Sequence, residues 1–135
     1  MILDGNVDAD DCYAGGWKTA LRDTDVAGKG FFTSSFEAGP ELCVFHGNAS
    51  NADEIEQRFY KIFKDIKERP ILMSGVTATF MPILITWREI KSYLFNVLYD
   101  SLERFPILVA ILVELEQHNG TTLATHSGRV GIGYP

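Results

Sequence analysis

The sequence is poor in the features that assign a small protein quickly. Its 135 residues include two cysteines, Cys12 and Cys43, which lie 31 positions apart. One pair is not the framework of a disulfide scaffold, so two idle or buried thiols are expected. Basic residues are also in the minority, 12 against 18 acidic, for a net charge of −6. A protein held on nucleic acid by phosphate contacts shows the opposite balance, so no nucleic-acid partner is expected. The first residues have no basic stretch leading into an apolar one, and no signal peptide is expected. The chain should then work in the cytoplasm or inside an assembled particle. The longest uncharged run, residues 70–87, has 18 members. That touches the lower limit for a membrane span. Gly75, Pro82 and three threonines interrupt it, so buried strands explain it better and no membrane partner is expected.

What is present points to one globular domain over residues 1–135, with 46% hydrophobic and 22% charged residues. Its charge is uneven. Residues 1–50 hold 8 acids and 3 bases, whereas residues 51–135 hold 10 and 9. Seven of the 12 glycines precede residue 48. Residues 1–40 are therefore expected to form an irregular acidic arm, 41–127 the core, and 128–135 an extended tail.

Two helices carry the clearest signals. Asn51 and Glu54 form a capping box, and Ile55, Phe59, Ile62, Phe63 and Ile66 follow on one stripe. Acids at the start and Lys61, Lys64, Lys67 and Arg69 at the end suit the helix dipole, and Pro70 stops this helix. Thr86 and Glu89 make a second box for a helix over 87–104. Elsewhere β-structure is expected. Residues 71–73 and 76–85 read as strands, and the seven apolar residues 107–113 as a central strand covered on both faces. Asn119-Gly120 suggests a hairpin turn with a return strand over 121–125. The expected fold is therefore α+β: a mostly antiparallel sheet of about four to six strands packed on helices 51–68 and 87–104.

The second helix has two apolar sides. Ile90, Leu94, Val97 and Leu98 occupy one, and Phe95, Tyr99 and Leu102 another. A helix apolar on two sides is wrapped by its own chain or meets another subunit. Phe95, Tyr99, Leu102 and the tail residue Tyr134 are the candidate interface, with a homo-oligomer or an assembly neighbour as the partner.

Polar clusters are few. With 107–116 as a strand, Glu114, Glu116 and His118 share one face and offer two carboxylates and an imidazole for a metal or for proton transfer. The hairpin register turns His126 to the other face, so a fourth ligand is missing. The segment from Asp4 to Asp11 places oxygens at alternate positions, Asp4, Asn6, Asp8 and Asp10, as calcium loops do, but Ala9 and Gly15 stand where an EF-hand needs Gly and Glu. Residues 44–49 resemble the His-Gly loop that helps build the oxyanion hole of α/β-hydrolases. No serine of the chain has the flanking glycines of that family's nucleophile elbow, so the resemblance stops at six residues. The glycines of 127–133 are not followed by chain enough for a phosphate-binding helix. No cofactor or metal is expected.

Three functions fit these residues. The favoured one is a non-enzymatic structural or assembly protein that self-associates, of the general character of small phage tail or neck components. The second is a small-molecule binding or sensory domain with a pocket near Phe59, Phe63, Tyr93 and Phe95. The third is a metal-assisted hydrolase using Glu114, Glu116 and His118.

Overall fold

A computed structural model describes residues 8–16, 18–74 and 82–126. Of these residues, 74% are helical. The elements run α1 (Ala9–Tyr13), α2 (Thr24–Leu42), α3 (Ala52–Glu68), β1 (Ile71–Met73), β2 (Ile83–Ile85), α4 (Trp87–Tyr99), α5 (Ser101–Glu116) and α6 (Thr121–His126), with single 3₁₀ turns at Thr19–Leu21 and Val44–His46. Among the described residues the only sheet is the antiparallel pair β1–β2, in the register Ile71 to Ile85, Leu72 to Leu84 and Met73 to Ile83. The expected sheet of four to six strands is therefore replaced by a helical fold with one short hairpin. None of the described helices is long and apolar enough to cross a membrane.

The expected caps form. Asn51 Oδ1 accepts from the Glu54 amide at 2.9 Å, and the Thr86–Glu89 box closes in both directions at the start of α4. α3 buries Ile55, Phe59, Ile62 and Ile66, as its stripe requires. The helix expected over 87–104 is two helices. α4 ends at Tyr99, Asp100 leaves helical geometry at φ −143° and ψ 56°, and α5 begins at Ser101.

Three segments expected in other conformations are helical. Residues 107–113 are the middle of α5, which buries Leu108, Ile111, Leu112 and Leu115 at helical spacing. A run without alternation suits a buried helix as well as a buried strand, and here the apolar stretch is covered as a helix among α3, α4 and α6. Pro106 sits inside α5 without a backbone amide to donate. The supposed hairpin at Asn119-Gly120 joins two helices instead. Asn119 Oδ1 accepts from the amide and hydroxyl of Thr121 at 3.1 and 2.7 Å, opening α6 where a return strand was expected.

The N-terminal arm is the third correction. Residues 24–42 form α2 despite three glycines and Pro40. Gly39, at φ 72°, kinks its last turn in a conformation that only glycine adopts cheaply. Local propensity is poor, and aromatic packing overrides it. Phe31 and Phe32 are buried, with Phe31 in edge contact with Phe105 at 5.1 Å and Phe32 against Phe59 at 5.4 Å. Such pairs add on the order of 1 kcal/mol each beyond burial. The core thus runs from Phe31, Phe45 and Phe59 through α5 to Ile85 and Leu123. Residues 1–7, 75–81 and 127–135 lie outside the described residues, and with them the tail, Tyr134, the glycines of 127–133 and most of the strand expected over 76–85.

Candidate functional site

The polar trio singled out in the sequence sits at the end of α5, where helical geometry disperses it. Glu114 and Glu116 are two residues apart, which puts them on one face of a strand but on different faces of a helix. Glu114 turns to α6, accepting from the Thr122 amide at 2.9 Å and hydroxyl at 2.6 Å. Glu116 takes a two-pronged contact from Arg58 of α3, with Nε and Nη2 both at 2.6 Å. His118, beyond the helix at φ 53°, meets Asp65 through Nε2 at 2.8 Å. Glu114 therefore ties α5 to α6, whereas Glu116 and His118 both tie its end to α3. Among the described residues, no group of three or more His, Cys, Asp or Glu side chains is arranged to hold a metal ion.

The electrostatics follow these contacts. Glu116 raises the Arg58 guanidinium above its ordinary value by hydrogen bonding and charge. Asp65 is held below the usual carboxylate range, first by the hydrogen bond from Arg69 and further by that charge and by His118. Tyr93 is buried on α4, and among the described residues its hydroxyl has no hydrogen-bond partner. Burial pushes its pKa up, with the nearby charge of Arg104 opposing.

The other polar motifs serve local structure. Asp8 caps α1 by accepting from the amides of Asp10 and Asp11 at 3.0 and 3.2 Å. Asp11 accepts from the Thr19 amide and hydroxyl at 2.8 and 2.7 Å, contacts that lower its pKa. His46 lies stacked on Phe36 at 5.4 Å, with Nδ1 3.0 Å from the Gly47 carbonyl. Cys43 is a buried free thiol and Cys12 a half-buried one.

The aromatic candidates behave differently. Phe95, Tyr99 and Leu102 all reach the surface, with 42%, 75% and 92% of their area exposed. Phe95 and Tyr99 touch edge to face at 5.2 Å, and Leu102 follows the break at Asp100, on the first turn of α5. Beside them Asp23, just before α2, and Thr24 and Ala27 within it complete a shallow hollow of about 220 Å³ with Phe95, Leu98 and Tyr99.

A larger cavity of about 490 Å³ opens between α2, α3, α4 and α5. Phe31, Phe32, Phe59, Phe95 and Phe105 supply its aromatic wall. Two of the four residues expected near a pocket, Phe59 and Phe95, line this one; Phe63 and Tyr93 are not in its wall. Phe31 and Phe32 escape a sequence reading because residues 1–40 read as an irregular arm, and nothing in the spacing joins that pair to Phe59 and Phe105. No protein-family model matches the chain, nor does any curated protein or solved structure, so its function has to be reasoned from these side chains.

Proposed function

We propose that this chain is a non-enzymatic assembly module that self-associates through the face formed by Phe95, Tyr99 and Leu102. The observation that supports this reading is the exposure of Tyr99 and Leu102, at 75% and 92%, with Phe95 in edge contact with Tyr99 and itself 42% exposed. Apolar area left in water costs about 25 cal/mol per Å², and a second protein surface recovers it. The face also carries a knob and a hole side by side: Tyr99 projects next to the 220 Å³ hollow it helps to line. A two-fold arrangement inserts the tyrosine of each copy into the hollow of the other, the self-complementarity that a closed dimer needs. Glu114, Glu116 and His118, the trio of the hydrolase reading, are engaged in contacts to Thr122, Arg58 and Asp65 that hold α5 to α6 and α3.

Light scattering on a size-exclusion column, over a wide concentration range, tests the reading. The expected result is an oligomer that dissociates on dilution and becomes monomeric in Tyr99→Glu without loss of helicity. A strictly monomeric wild type at high concentration overturns it.

A further inference from the structure

We infer that the cavity between α2, α3, α4 and α5 is a binding site for an uncharged aromatic small molecule. This inference does not rest on self-association: Phe95 borders both the cavity and the association face, but Tyr99 and Leu102 take no part in the cavity wall.

Three observations converge on it. The first is size. Between the four helices a cleft of about 490 Å³ opens to the surface, with five phenylalanines among its lining residues. That volume lies within the range of roughly 300–1,000 Å³ typical of small-molecule sites.

The second observation is Gly28. It lies in α2 on the cavity wall, and a Cβ there would meet nothing within 4 Å. Glycine costs a helix about 1 kcal/mol relative to alanine, and no close packing demands it here. Gly30 is open in the same way but lies outside the wall, so residue 28 is the one of the two where a side chain would stand beside the cavity.

The third observation is the charge of the mouth. Asp25 and Glu56 are matched by Lys29 and Lys91. Asp25 and Lys29 are four residues apart on α2, a spacing that puts opposite charges on one helix face. Lys91 stands 5.9 Å above the Trp87 ring. A ligand of either charge meets attraction and repulsion together at such a rim, whereas a neutral ring loses nothing there. Aromatic walls reward a ring further, through edge and face contacts at about 4.5–7 Å between centroids.

Fluorescence titration with N-phenylnaphthylamine, a neutral ring system that brightens in apolar surroundings, tests the site on the whole chain. Saturable binding at one site per chain is expected, with weaker binding of the sulfonated analogue anilinonaphthalene sulfonate. Gly28→Leu should weaken the neutral probe about tenfold or more while melting no lower than wild type. Gly30→Leu is the matched control. A Cβ there also meets nothing within 4 Å, but residue 30 is not in the wall, so its affinity should be unchanged. Tyr60→Ala, at an exposed rim position, gives a second reading that does not depend on filling the cavity, and should weaken the probe severalfold. Tyr99→Glu should leave probe affinity intact, which separates this site from the association face. Absence of saturable binding, equal affinity in Gly28→Leu and Gly30→Leu, or preference for the sulfonate each overturns the assignment.

Discussion

Arg58 and Glu116 join α3 to the end of α5 across 58 residues of chain, with two parallel hydrogen bonds of 2.6 Å each. The third nitrogen of the same guanidinium donates to the Phe45 carbonyl at 2.9 Å, and its carbon lies 4.6 Å over the Phe45 ring. One side chain thus holds α3, α5 and the turn at Val44–His46 together. Both partners are about a third exposed, at 32% and 29%, so solvent reduces the strength of the pair itself.

Geometry rather than charge should therefore dominate at residue 58. Lysine keeps the charge but offers a single point donor, so it loses the fork and the stacked plane. Arg58→Lys is expected to lower stability by about 1 kcal/mol, and Arg58→Ala by about 2 kcal/mol, because the Phe45 carbonyl also loses its donor. Urea unfolding measures both, as a lower midpoint at unchanged slope. Equal stability of wild type and Arg58→Lys would show that the fork contributes nothing.

Asp65 links α3 to His118 at 2.8 Å and also accepts from Arg69. Its pKa is depressed below the ordinary 3.8 by Arg69 first and His118 further on. A depressed carboxylate contributes stability that is present above its unfolded pKa and lost as pH falls through the folded one. Asp65→Asn should melt below wild type near neutral pH, and the difference should close as pH drops below 3.8. A gap that is constant with pH would mean the contact is not electrostatic.

The fold was legible where the chain carries its own local signals. Asn51 with Glu54, and Thr86 with Glu89, announce α3 and α4 because a cap is satisfied within one turn. The exposed aromatic stripe was legible for a similar reason, since Phe95 and Tyr99 are neighbours on a single helix. α2 and α5 were not. α2 is helical through contacts of Phe31 and Phe32 with Phe105 and Phe59, partners far along the chain. Residues 107–113 lack periodicity because α5 is covered on most sides, and an apolar run so covered reads equally as strand or helix. The candidate trio followed that misreading, since strand geometry alone placed Glu114, Glu116 and His118 on one face. Of the cavity wall only Phe59 and Phe95 were legible, because it is assembled from four helices of which two were expected in other forms.

Glu114 is the residue whose role changes most between the two geometries. In the helical structure it receives the amide and hydroxyl of Thr122, the second residue of α6. It therefore satisfies an orphan amide at the start of a helix of six residues. Glu114→Ala should cost about 1 kcal/mol, the usual value of a lost N-terminal cap, and Glu114→Gln less, since an amide oxygen still accepts. Circular dichroism melts compare the two. A metal role would appear instead as stabilisation by added zinc in the wild type that both variants lose.

Gly120 gives the most demanding test of the fold. It is buried between α5 and α6, and a Cβ there would lie 2.0 Å from Ile85 Cδ1 and 3.7 Å from Met73 Cγ. The residue therefore seats the α5–α6 turn directly on the hairpin of β1 and β2. Ile85 is 1% exposed, so its end methyl has little free space to turn into. Overpacking a filled core costs about 1–3 kcal/mol. Gly120→Ala should lower stability by that amount, while Ile85→Val together with Gly120→Ala should recover part of it by removing the obstructing methyl. A hairpin turn at Asn119-Gly120 would also be strained by alanine, but through its positive φ alone, and would gain nothing from the change at Ile85. Recovery in the double variant, read by chemical denaturation, is the outcome that only the helical arrangement produces.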